Sequence, residues 1–170
     1  MDALVYTPRI CGICSVTQSV ASARALADAM GLSMPKNGEL CTNLVLASEN
    51  ITDLITHFYL FFMPDFARDT YAGASWFGDI QGRFKATAGS AATQMLPARA
   101  DFLHLMGLMA GKWPHTLSLQ PGGVAKAIEP KERMRLLAIV AGFKRFLEST
   151  LFGDSLTTIS QLKSEAELWQ

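Results

Sequence analysis

Apolar residues recur at helical rather than alternating intervals over most of this chain. The longest such run extends from about Glu39 to Phe62, where Leu40, Leu44, Ala47, Ile51, Leu54, Phe58 and Phe61 share one face. Glu49, Asn50, Asp53 and His57 fall largely on the other side. The pattern predicts a helix about 35 Å long that buries its apolar face in the middle of the molecule. An earlier helix is predicted through "SVASARALADAM", capped by Ser15 or Thr17 and stopped at Gly31. Its alanines (Ala21, Ala23, Ala25, Ala27, Ala29) permit close packing against neighbours. Pro97 opens a third predicted helix that Gly111 ends. A fourth runs from Pro130 to Phe152, with Met134, Leu137, Ala141, Lys144, Leu147 and Leu151 in register. A last amphipathic stretch, "ISQLKSEAELWQ", continues to the end without a stop signal.

Between these runs the pattern breaks. Residues 64–83, with Pro64, Gly73, Gly78 and Gly82, read as a loop. "KWPHTLSLQPGGVAKAIEP" reads as a long irregular segment, with a tight turn at Gly122–Gly123. The pair lacks the Gly-Lys-Ser/Thr ending of a phosphate loop. Only "ALVYT" near the start is a candidate strand. The expected fold class is mainly α, a multi-helix core with long irregular connections.

Composition narrows the function. The chain has 170 residues, a hydrophobic share of 49% and a formal net charge of zero. That is enough for one domain with a core, and it argues against disorder and against nucleic acid or acidic membranes as partners. The most hydrophobic run is interrupted by Asp53 and His57 and stopped at Pro64, so no transmembrane span is expected. No secretory signal is recognisable in "MDALVYTP", and three cysteines cannot all pair. A cytoplasmic, reducing location is the expectation. Eight methionines and ten phenylalanines in a neutral chain suggest apolar surface that meets a partner, or simply a well-filled core.

The candidate chemistry lies in "PRICGICSVTQS", where Cys11 and Cys14 sit at a loop-to-helix junction. Free backbone N–H groups and the helix dipole there favour thiolate. A thioredoxin-like pair wants a βαβ setting, and a structural zinc site wants a second ligand pair. Neither is present: His57, His104 and His115 are scattered, and Ser15 stands where haem attachment would need histidine. Metal or redox chemistry and an inert thiol pair both remain open on spacing alone. Cys41 reads as a small core residue.

Three segments in order, "RICGIC", "THFYLFFMPD" and "GKWPH…QPGGV", resemble the large subunit of nickel–iron hydrogenases, from Pro8 to about Phe152. The resemblance implies Cys11 as a terminal thiolate on nickel and Cys14 as a thiolate bridging nickel and iron. Soft thiolates suit both metals, and Gly12 lets both sulfurs face one centre. It further implies a nickel–iron centre with carbon monoxide and cyanide on iron, completed by a second Cys-x-x-Cys. Dihydrogen is then split heterolytically, a nearby base taking the proton. The implied partner is an iron–sulfur small subunit carrying clusters, with His115 facing it; a plain loop histidine is the other reading.

Two departures qualify this. Most members of the family carry histidine where this chain has Gln18, which can hydrogen-bond a sulfur but cannot titrate. "ICSVTQS" resembles the regulatory, hydrogen-sensing branch, which signals to a histidine kinase. No further Cys-x-x-Cys follows Cys14, and the upstream segment with a proton-relay glutamate is absent. Residues 1–170 therefore read as a single partial domain, an internal fragment that is catalytically incompetent alone. An uptake hydrogenase is the alternative within the family. A metal-free helical interaction module, like related subunits of respiratory complexes, is the alternative outside it. Arg9 either stabilises thiolate charge or pairs with a surface carboxylate. Glu49 and Asp53 read as a polar face, and His57 as a partly buried helix histidine bonded to a neighbour.

Overall fold

A computed structural model describes residues 2–168. Its helices are α1 (Ala3–Tyr6), α2 (Ser15–Ala29), α3 (Lys36–His57), α4 (Met63–Phe66), α5 (Phe77–Phe84), α6 (Ala91–Ala110), α7 (Pro130–Phe146), α8 (Leu156–Gln161) and α9 (Glu165–Leu168). Two-residue strands β1 (Leu119–Gln120) and β2 (Gly123–Val124) pair antiparallel, Leu119 opposite Val124. The fold is mainly α, as the periodicity predicts.

Helix α6 is the centre of the packing, with α3 on one side and α7 on the other. Met95 and Met106 of α6, Val16 of α2 and Val45 of α3 are among the most deeply buried side chains. Phe102 of α6 stacks on Phe143 of α7 with ring centroids 4.1 Å apart, a geometry that adds directional attraction to the area buried. Helix α2 packs on α3 and on a short 3-10 turn, Thr7–Arg9.

The predicted stops hold where glycine takes a left-handed backbone. Gly31 has φ of 66°; its N–H donates to the Asp28 carbonyl and that of Leu32 to the Ala27 carbonyl. This double bond pattern closes α2 as a Schellman motif. Gly111, with φ of 77°, ends α6 in the same region. In the hairpin, Gly122 has φ of 84° after Pro121, the tight turn expected there.

Several expectations need correction. "ALVYT" is helical, because Asp2–Tyr6 forms a turn with the Tyr6 N–H on the Asp2 carbonyl. The loop read over residues 64–83 contains α4, a 3-10 turn and α5. Helix α6 begins before Pro97, which sits inside it. As the seventh residue of α6, Pro97 lacks the N–H that would ordinarily donate to the Thr93 carbonyl, so the helix gives up one bond there. The last stretch breaks at Leu162, whose extended backbone separates α8 from α9, and Trp169 and Gln170 lie outside the described residues.

The largest correction concerns which face of α3 points inward. The helix forms where predicted and continues through a wide π-type turn, Phe58–Phe62. Yet Leu40, Leu44, Leu54 and Phe61 are exposed, Leu54 by 68%. The buried side carries Thr42, Val45, Ser48, Glu49, Thr52, Ile55 and Tyr59. The hydroxyls are tolerated inside because they bond up their own helix: Ser48 donates to the Leu44 carbonyl at 2.7 Å and Thr52 to that of Ser48 at 2.9 Å. Helix α7 departs in the same way: Met134 and Leu137 are exposed while Phe143 is buried. Leu40, Leu44, Met134 and Leu137 line an open groove of about 1020 Å³ between the two helices.

Candidate functional site: a thiol pair at the start of helix α2

The "CGIC" turn lies between the Thr7–Arg9 turn and α2, and Cys14 occupies the N-cap position of α2. The expected caps, Ser15 and Thr17, are inside the helix instead. Cys11 and Cys14 are both free thiols and half-buried. They face one another. The Cys14 side chain donates to the Cys11 sulfur, and with the backbone N–H groups of Cys14 and Ile13 it pulls the Cys11 pKa below its ordinary value. Cys14 moves the opposite way, held up by the same bond to Cys11, although the Gln18 amide acts against this. Gln18 Nε2 donates to Cys14 Sγ at 3.2 Å. The bond between the two sulfurs thus favours thiolate at Cys11 and disfavours it at Cys14.

The thiolate-favouring N–H groups expected at this helix start are engaged elsewhere. Glu49 reaches across from α3 and takes them. Its Oε2 accepts from the Val16 N–H at 2.8 Å, and its Oε1 from the Thr17 N–H at 2.8 Å and the Thr17 hydroxyl at 3.0 Å. Oε2 also accepts from the Trp113 indole N–H at 2.9 Å. At 2% exposure Glu49 is no solvated polar face, which corrects that expectation. Asp53, by contrast, is exposed, so the two carboxylates do not act as a pair.

The "KWPH" segment closes the other side of the junction. Arg99 of α6 lies over the Trp113 ring at 5.4 Å and donates to the Thr56 hydroxyl at 2.8 Å. Trp113–Pro114 is a cis peptide bond. His115, half-buried with φ of 63°, donates its N–H to Ser15 Oγ at 3.3 Å. Its Nδ1 lies 3.0 Å from the Pro8 carbonyl oxygen, an acceptor that favours the tautomer protonated on that nitrogen. Thus Cys11, Cys14, Gln18 and His115 share one region, although His115 is widely separated from the others in sequence. Arg9 is exposed and donates to the Val5 carbonyl at 2.5 Å. His57 is exposed, its ring 6.3 Å from that of Phe61, rather than partly buried and hydrogen-bonded. Cys41 is half-buried against the core.

The periodicity put Glu49 on a polar face, and nothing in it singled out Trp113 or Arg99. Trp113 stands in a quoted motif, but its indole partner is distant in sequence and only the fold supplies it.

Two soft sulfur donors converging at a helix start suit nickel, iron or another soft metal. Among the described residues no group of three or more His, Cys, Asp or Glu side chains is placed to hold a metal ion. The donor set fits half of such a centre.

Residues 1–74, both cysteines included, match the family model described as nickel-dependent hydrogenase. The chain is similar to the large subunits of nickel-dependent hydrogenases. With Hydrogenase-2 large chain of Escherichia coli K12 it shares 26% identity, over 75% of this chain and 31% of the other. Among solved structures, the Ni-Fe-Se hydrogenase of D. vulgaris Hildenborough in the reduced state superposes with a TM-score of 0.73 and 26% identity. The superposition covers 88% of this chain and 32% of that one. The chain therefore spans about a third of the length of these hydrogenase relatives. An uptake hydrogenase large subunit of Rhodobacter capsulatus matches too, at 40% identity over 58 residues, covering 34% of this chain and 10% of that protein. Relatives of several types thus share the segment, and the resemblance does not separate sensing from uptake. No described helix is long and apolar enough to cross a membrane.

Proposed function

We propose that this chain supplies two thiolate ligands, Cys11 on nickel and Cys14 between nickel and iron, to a dihydrogen-activating centre of a larger protein. The observation that carries the reading is the free thiol pair at the start of α2, with Gln18 bonded to Cys14, inside the segment that matches the hydrogenase family. When bound, the metal centre, with carbon monoxide and cyanide on iron, would supply the polarisation that lets dihydrogen split heterolytically. Two further soft ligands from the rest of the protein complete it. The chain's own part is to present two neighbouring sulfurs, one of which Gln18 steadies through its amide N–H.

Gln18 supports a hydrogen-sensing role over fast uptake, because an amide next to a ligand sulfur cannot shuttle a proton. In this reading the 170 residues are one partial domain in the cytoplasm and inactive by themselves. An iron–sulfur small subunit receives the electrons, His115 faces that subunit, and a histidine kinase reads the signal. Arg9 contributes positive charge beside the motif.

Elemental analysis of the full-length protein tests the metal assignment. Equal nickel and iron, lost in both Cys11→Ser and Cys14→Ser, is the expected result; a metal-free full-length protein would leave the helical interaction module as the better account. Dihydrogen uptake rates then separate the subclasses. A sensor turns over slowly, and Gln18→His would speed it.

A further inference from the structure

Cys14 creates a local problem for α2. The N-cap position normally holds Ser, Thr, Asp or Asn, whose side chain accepts from the first free N–H groups of the helix. Here the N-cap side chain is a thiol engaged with Cys11 and Gln18, and no cap bond comes from it. The Val16 and Thr17 N–H groups still need acceptors, since Val16 is fully buried.

Glu49 answers that need from a different helix. It is buried, and no Lys, Arg or His stands within ion-pair distance of it among the described residues. Burying a carboxylate without a cation is costly, and hydrogen-bond donors together with the positive end of α2 are what compensate. A local Ser or Asp would have capped the helix at lower cost. The same carboxylate holds Trp113, and through the following residues the backbone of His115 reaches Ser15. One side chain thus ties the metal-motif helix, the long helix and the "KWPH" segment together.

We infer that Glu49 is the positioning residue of the cysteine pair: it sets the start of α2, and so Cys14, against the Trp113–His115 segment, and keeps a negative charge behind the thiolates. The assignment rests on the reading of Cys11 and Cys14 as metal ligands. A fixed negative charge there makes the sulfurs stronger donors, and it acts without touching metal or substrate.

The test uses the full-length protein assembled with its small subunit, as wild type, Glu49→Gln and Glu49→Asp. Hydrogen exchange reads the clamp, and the infrared bands of carbon monoxide and cyanide on iron read the charge. In Glu49→Gln the Val16 and Thr17 amides should exchange about tenfold faster, as charge-assisted bonds give way to neutral ones. The infrared bands should move to higher wavenumber with nickel and iron retained. Glu49→Asp, which keeps the charge, should return the bands toward wild type even where its shorter reach leaves exchange fast. Unchanged exchange at Val16 and Thr17 overturns the clamp. Faster exchange with unmoved bands reduces Glu49 to a structural cap and overturns the assignment, while leaving the metal centre intact. A wild-type protein without nickel and iron overturns the metal reading itself, and this inference with it.

Discussion

The two faces of α3 invert the usual relation between polarity and burial. Its inner face carries a carboxylate and three hydroxyl side chains in the deepest part of the molecule. Its outer face carries Leu40, Leu44, Leu54 and Phe61 in the open. The inner face is polar because its polar atoms have partners: the hydroxyls of Ser48 and Thr52 bond their own helix, and Glu49 bonds the start of α2 and Trp113. The outer face, continuous with Met134 and Leu137 of α7, has no such closure. A helix face is selected by what it meets, and hydrophobicity stands in for that only when the neighbour is apolar.

The comparison can be broken by substitution. Phe143→Ala, which removes the ring stacked on Phe102, should have the largest effect, about 3–5 kcal/mol of stability by chemical denaturation. Glu49→Ala should follow, at about 3 kcal/mol, because it leaves two helix N–H groups and the Trp113 indole without their acceptor. A loss under about 1 kcal/mol would mean that water replaces the carboxylate easily, and the inner face would then be less closed than its burial suggests.

Glu132 sharpens the picture through pH. It forms a reciprocal cap with Glu129 at the start of α7 and pairs with Lys126, which also donates to the Leu108 carbonyl at 2.7 Å. The Glu129 backbone N–H first, and Lys126 second, hold its carboxyl below the ordinary value of 4.5. A depressed folded-state pKa adds stability above the unfolded value and loses it as pH falls through the folded one. Melting curves of wild type and Glu132→Gln should differ near neutral pH and converge in acid, below about 4.5. A gap that persists in acid would show that the contribution is not ionic.

Smaller effects are expected where a group has nothing to lose. The Tyr59 hydroxyl is buried with no hydrogen-bond partner among the described residues, and burial pushes its pKa up. Tyr59→Phe should be neutral or slightly stabilising, within about 1 kcal/mol. Least of all, Leu54→Ser on the outer face of α3 should change the stability of these 170 residues by no more than about 0.5 kcal/mol. Under the proposed function, the same change made in the larger protein asks whether other chain covers that face. A cost of about 2 kcal/mol there would show that it does.

Much of this was written locally. Glycines 31, 111 and 122 mark their turns because a positive φ is inexpensive only without a Cβ, so those stops follow from residue type alone. The span of α3, the irregular run after α6 and the Cys-x-x-Cys turn follow from spacing in the same way. The orientation of α3 and α7 does not, since periodicity says only that two faces differ. Nor does the role of Glu49. In sequence it is one carboxylate four residues before another; in the fold it meets N–H groups of α2 and an indole from beyond α6. Those donors come together only when three helices pack. Backbone preferences act between neighbours along the chain and survive in the sequence, whereas a buried charge is stable only in a three-dimensional set of donors, which tertiary structure alone assembles.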